Sequence, residues 1–186
     1  MTETFKLHGR VIHAGRAAGR ALVSPAPIGF LGGVDPDTGV VLEPGHPLQG
    51  QSVAGSVLVF PTGKGSTVGS YTILRMGRSG HAPVALINAE SEAIVAVGAI
   101  IADIPMVDQI DITAIQAGDW VTIEDGTVTV RRGLRIADWG LRIGDSHERT
   151  GLPETGRIAA DRQDPPARVT RRRIDPPGGR NRRRVG

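Results

Sequence analysis

Two short apolar runs, "SVLVF" at 56–60 and "PVALIN" at 83–88, constrain the fold more than any other feature. Each is continuous rather than alternating, short, and bounded by turn residues, which is the pattern of a buried strand. Between them stands "PTGKGSTVGS" (61–70), a glycine-rich turn, and then "YTILRMGR" (71–78). The spacing predicts a helix from Ser66 or Thr67 to Arg78, with one of those hydroxyls as N-cap, Tyr71, Ile73, Leu74 and Met76 as its apolar residues, and Gly77 and Gly80 near its end.

The same reading extends in both directions. "AESEAIVAVGAIIADI" (89–104) predicts a second helix with acids in its first turn, where they complement the macrodipole. "PMV" resumes a strand after Pro105, and "DWVTIEDGTVTV" (119–130) is two alternating runs joined by Asp125-Gly126, a strong hairpin signal. Upstream, 6–14 and 19–23 read as short strands forming a hairpin. Residues 24–55 are dense in Pro and Gly yet carry apolar residues, so they predict an ordered loop of the kind that often carries function. The element order predicts a sheet-centred α/β domain over 1–130.

Beyond it the composition changes. Residues 1–130 hold 7 Lys+Arg against 12 Asp+Glu, whereas 131–186 hold 15 Arg against 7 acids. The segment 131–145 repeats "GLRI" at seven-residue spacing, and 146–186 is an Arg/Pro/Gly-rich tail with too few large apolar residues to offset its ordering entropy. Disorder is the expectation there. With aromatics at 3%, the core must be built from aliphatic residues, with Phe5, Phe30, Phe60 and Trp120 as its large pieces. There is no cysteine, which excludes disulfides and any thiolate-ligated metal or cluster held by this chain alone. No apolar run approaches about 18 residues and the N-terminus lacks a signal-peptide pattern, so a soluble cytoplasmic protein is expected.

The glycine turn is tested against two familiar phosphate binders. A P-loop needs glycine where Leu58 stands and Ser or Thr where Gly65 stands, and the spacing of Gly63, Gly65 and Gly69 misses the dinucleotide fingerprint. What remains is general: amide N–H groups at a helix N-terminus favour an anion, and Lys64 adds a positive charge beside them. Ser66 is then either a helix cap or a hydroxyl whose alkoxide is stabilised in an electropositive turn. The five histidines, His8, His13, His46, His81 and His147, show no metal-ligand spacing.

Four blocks, "PIGFLGGVDPDTG" (27–39), "HPLQGQSVAG" (46–55), "VLVFPTGKGSTVGSY" (57–71) and "INAESEAIVAVGAIIADIPMVD" (87–108), together resemble the swivel domain of aconitase X, over roughly residues 7–130. The resemblance implies an aconitase-type swivelling β/β/α barrel, acting as the small subunit of a two-chain hydro-lyase. It also implies that the large partner subunit carries the iron or iron–sulfur centre, acting as Lewis acid on the departing hydroxyl, and that Ser66 is the base that removes the substrate proton. Gly63, Lys64, Gly65 and Thr67 would hold the anionic substrate, with Asn88, Glu90 and the Gly32-Gly33 loop lining the site. Ordinary aconitases follow the serine pair with an arginine for a substrate carboxylate; here Thr67 and Val68 follow Ser66, leaving that task to backbone N–H groups or Lys64. Substrates of similar proteins are cis-3-hydroxy-L-proline in bacteria and phosphomevalonate in archaea. The alternative is a non-catalytic protein whose Arg-rich tail binds nucleic acid or an acidic partner.

Overall fold

The computed structural model describes residues 3–133; the rest of the 131–145 extension and the whole 146–186 tail, with the disorder expected of it, lie outside the described residues. The elements are β1 (Glu3–His8), β2 (Arg10–His13), β3 (Arg16–Val23), β4 (Ile28–Gly29), β5 (Val57–Phe60), β6 (Gly63–Lys64), α1 (Gly69–Ser79), β7 (Ala85–Asn88), α2 (Ala93–Ile101), β8 (Met106–Asp108), a 3-10 turn (Ile112–Ala114), β9 (Trp120–Glu124) and β10 (Thr127–Arg132).

Eight strands form one sheet in the order β1-β10-β9-β3-β5-β7-β8-β2, and β4 pairs separately with β6. Strands β3, β5, β7 and β8 run parallel, while β9, β10 and β1 on one side and β2 on the other are antiparallel to their neighbours. The two ends of this order, β1 and β2, are joined in the chain by Gly9 alone, so one nearly continuous segment runs from one end of the order to the other and the sheet curls into a half-barrel. Gly9 sits tightly in that junction: a Cβ there would stand 2.2 Å from the Asp108 carbonyl oxygen.

The central strands are buried on both faces, and their period of two sorts them into two cores. Leu58, Phe60, Leu86 and Met106 face α1, α2 and the 24–55 loop, joining Ile73, Met76, Val95 and Ala99. Val57, Val59, Ile87 and Val107 face the barrel interior with Val121, Ile123, Val128 and Val130. Phe30 and Phe60 pack edge to face at 6.1 Å in the first core. Phe5 and Trp120, expected in the core, are only half-buried. The loop 24–55 is ordered and contributes Ile28, Phe30, Val34, Val41, Leu48 and Val53 to the helical side.

Three expectations are corrected. Residues 6–14 and 19–23 form no hairpin: β1 pairs with β10, β2 with β8, and β3 pairs with β9 through Arg16–Arg20 and with β5 through Ala21–Val23. A hairpin would occupy one edge of β3, and both edges are needed to link the halves of the sheet. Helix α1 starts at Gly69 rather than at 66 or 67, because residues 66–68 form a tighter turn with Gly69 N–H bonded to the Ser66 carbonyl at 2.8 Å. The acids of the second helix precede it; Glu92 is its N-cap, accepting from Ile94 N–H at 2.7 Å. The Asp125-Gly126 turn forms as read, with φ of 44° and 82°, the two positive angles a type I′ turn requires.

The closing edge carries a buried charge. Asp108, at the end of β8, accepts two hydrogen bonds from Arg10 at 3.0 and 2.7 Å and two from Ser91, from its N–H at 3.1 Å and its hydroxyl at 2.6 Å. Burial pushes this carboxyl up, but the bonds from Arg10 and Ser91, with the charge of Arg10, outweigh it and hold the pKa below the ordinary 3.8. A depressed folded-state pKa contributes stability above the ordinary value and loses it as the pH falls through the folded one. Asp108→Asn should therefore lower the urea-unfolding free energy at neutral pH by about 2 kcal/mol, the scale of a charged hydrogen bond. The difference from the wild type should shrink as the pH drops below 3.8.

Candidate functional site

The carboxyl ends of β5, β7 and β8 lie next to one another, which is where open α/β sheets place ligands. The chain leaves β5 through Pro61 into the glycine turn. There β6 pairs with β4, Gly63 opposite Ile28 and Lys64 opposite Gly29, fastening the turn to the 24–55 loop. Gly63 is buried against α2, where a Cβ would approach Val95 to 2.4 Å. Gly65 has φ of 100°, a conformation that favours glycine, and reverses the chain toward α1.

Ser66, Thr67 and Val68 are exposed at the tip. The helix N-cap is Val68 and it makes no side-chain cap bond, so Ser66 is not the cap. Its Oγ accepts instead from Val68 N–H at 3.3 Å. Among the described residues the amides of Ser66 and Thr67 donate to no protein acceptor. The turn thus presents a hydroxyl among amide N–H groups at the positive end of α1.

Lys64 is paired: its ammonium donates to Glu43 at 2.5 Å, and both side chains are partly exposed. Glu43 belongs to the 24–55 loop and its N–H donates to the Gly33 carbonyl at 3.3 Å. Gly33 itself leaves no room for a side chain, since a Cβ would stand 2.1 Å from the Gly29 carbonyl oxygen. The Gly32-Gly33 loop is thereby brought to the flank of the turn through Glu43.

The end of β7 forms the other flank. Asn88 is fully buried, donates Nδ2–H to the Phe60 carbonyl at 2.8 Å, and leaves Oδ1 without a partner among the described residues. Glu90 is exposed and its N–H donates to the Pro61 carbonyl at 3.0 Å, tying 88–92 to the glycine turn. The sequence-predicted turn of Gly63, Lys64, Gly65, Ser66 and Thr67 is therefore flanked by Gly32 and Gly33 through Glu43 and by Glu90 through Pro61, with Asn88 buried behind it.

Sequence reasoning missed three features here. Glu43 lies in a loop marked as functional, but no pattern singles it out. The Arg10–Asp108–Ser91 cluster joins residues up to 98 positions apart, which no local spacing reveals. Ser24 and His46 are both buried: Ser24 Oγ lies 3.4 Å from His46 Nε2, and His46 Nδ1 accepts from Leu48 N–H at 3.1 Å. The second bond leaves Nε2 as the donor of a neutral ring. This pair is enclosed and braces the loop rather than meeting solvent.

Among the described residues no group of three or more His, Asp or Glu side chains is placed to hold a metal ion, and the chain has no cysteine. The donor set of the described residues does not fit an iron or iron–sulfur centre. No helix of the described residues is long and apolar enough to cross a membrane.

Comparison with known proteins agrees with this geometry. The family model described as the aconitase X swivel domain matches residues 6–131. A curated phosphomevalonate dehydratase small subunit of Methanocella arvoryzae is 55% identical over 129 residues, covering 68% of this chain and 97% of the relative. Its counterpart in Thermococcus onnurineus is 53% identical over 128 residues, covering 68% and 98%. The crystal structure of Thermococcus kodakaraensis aconitase X in its holo form superimposes with a TM-score of 0.66 at 50% identity, covering 67% of this chain and 97% of the matched one. The chain belongs to the aconitase X swivel domain family, as the small-subunit component of an aconitase X-type dehydratase.

Proposed function

We propose that this chain supplies the proton-abstracting serine of a two-chain dehydratase acting on phosphomevalonate, with Ser66 as base and the glycine turn as the anion-holding element. The observation that carries the proposal is the Ser66 hydroxyl, exposed, excused from capping, and set among amide N–H groups at a helix N-terminus. The substrate choice over cis-3-hydroxy-L-proline is supported by relatives about half identical to this chain and named for phosphomevalonate. The iron or iron–sulfur centre and the rest of the substrate site belong to a large partner subunit in this reading.

Dehydration removes a hydroxyl from one carbon and a proton from its neighbour. Ser66 Oγ, as the alkoxide, takes the proton and becomes the neutral hydroxyl; the C–H electron pair becomes the double bond as the C–O bond breaks with its electron pair on the departing hydroxide. The hydroxide takes up one proton to leave as water, and Ser66 gives up the proton it gained to return to the alkoxide, so that the net change is substrate to alkene plus water. A serine alkoxide is costly in bulk water, and preorganised N–H dipoles lower that cost where it develops. Val68 N–H already points at Oγ, and the amides of Ser66 and Thr67 are available beside it.

Lys64 supplies the charge that an arginine supplies elsewhere. Its bond to Glu43 is a partly exposed ion pair, a kind worth only about 0–1 kcal/mol, so an arriving phosphate or carboxylate can redirect it at little cost. The family match ends at residue 131, so this reading rests on residues that precede the Arg-rich tail.

In the reconstituted complex, Ser66→Ala should lower kcat about 10²–10⁴-fold, the usual contribution of a general base, with subunit assembly intact. Turnover near the wild-type rate would remove the serine from its role. Lys64→Met should instead raise KM for phosphomevalonate about 10–100-fold, the loss of one charge-assisted hydrogen bond, with kcat nearly preserved; steady-state kinetics separate the two effects.

A further inference from the structure

Helix α2 reads "AIVAVGAII" and contains no polar side chain. Ile94, Val95, Gly98 and Ala99 face the core, and Gly98 lets α1 approach closely, since a Cβ there would meet Ile73 at 2.5 Å. The opposite side, with Val97 and Ile101, is exposed. A helix apolar all round is normally buried in its working state. Helix α1, by contrast, turns Arg75 and Arg78 to solvent.

The exposed side of α2 is one wall of a larger apolar surface. Thr67, Val68, Tyr71, Val97 and Ile101 border a groove of about 450 Å³ between the helices. Val68 and Tyr71 also border a second groove, whose far wall holds Leu31 and Leu42 of the 24–55 loop. The six large apolar side chains Leu31, Leu42, Val68, Tyr71, Val97 and Ile101 are between 42% and 67% exposed. Side chains of this size exposed to that extent leave on the order of a few hundred Å² of apolar area, the size at which an exposed patch is often functional. That is a large part of the roughly 800 Å² one partner gives up in a stable interface.

We infer that this α1–α2 surface, from Leu31 and Leu42 across Tyr71 to Val97 and Ile101, is where the large dehydratase subunit docks. The inference rests on the proposed role of Ser66. The surface begins at Thr67 and Val68, the residues directly after Ser66, so a polypeptide that presents substrate to Ser66 must also cover them. A second copy of this chain seated there would instead shut Ser66 away from any substrate. The size of the surface matches an interface, and its position matches the subunit that completes the site.

The test uses the full chain and its large subunit, and reads the dissociation constant between them together with the sedimentation of the small chain alone. Val97→Asp combined with Ile101→Asp should weaken the complex about 100-fold or more, as loss of central apolar anchors does. The isolated variant should keep the wild-type thermal midpoint, because both side chains already face solvent. Tyr71→Asp, on the opposite wall, should give a similar loss and guards against a folding defect confined to α2. Ser66→Ala should leave the affinity unchanged while lowering turnover about 10²–10⁴-fold, so that a failure of the surface is distinguishable from a failure of the base. Wild-type affinity in the doubly substituted chain and in Tyr71→Asp would overturn the inference. So would a wild-type small chain that is dimeric alone and becomes monomeric on these substitutions with large-subunit binding unaffected, which would make a second copy the occupant.

Discussion

Burial of β5, β7 and β8 on both faces is the constraint on which the rest of the structure depends. Val57-Leu58-Val59-Phe60 and Ala85-Leu86-Ile87 alternate between a helix-covered core and a barrel core, so neither run tolerates water on either side. Covering one face requires α1, α2 and the 24–55 loop. Covering the other requires the sheet to curl until β9, β10 and β1 fold over it, which brings β1 and β2 together around Gly9. Polar groups can then emerge only where the strands end. Lys64, Ser66, Asn88, Glu90 and Asp108 all follow or close those ends, and the site is a consequence of the same burial that makes the core.

What sequence could show followed from locality. The runs of β5 and β7, the glycine C-cap of α1 and the Asp125-Gly126 hairpin are each fixed by residues close in the chain, and each was legible. The pairing of β1 with β10 joins residues more than a hundred positions apart, and nothing near Lys6 or Leu7 announces Thr129 or Val128 as partners. The start of α1 was misjudged because Ser and Thr are strong caps, while the i to i+3 bonds of residues 66–68 shift the cap to Val68. The same shift releases Ser66 for another role. The glycine turn between β5 and α1 was legible as a turn, but its attachment to Glu43 and to the Pro61–Glu90 contact required the fold.

In the proposed reading the chain shapes half of a reaction site. It carries a hydroxyl, oriented amides and one redirectable lysine, and among its described residues it lacks the ligands for a metal centre. Its outer apolar surface and its glycine turn are contiguous, so in the proposed reading assembly and catalysis draw on the same stretch of α1. The acidic domain of residues 1–130 and the Arg-rich segment beyond it differ in charge sign, and the family match covers the first and stops at 131. The dehydratase reading accordingly stands on the domain alone.

The central claim is that Ser66 meets the substrate proton once the second subunit is in place. A structure of the assembled complex with phosphomevalonate bound measures this directly. The account predicts Ser66 Oγ about 3 Å from the carbon that loses its proton, on a path that a base can use. Another side chain in that position, with Ser66 turned to solvent or beyond the reach of a single bridging water, would contradict it.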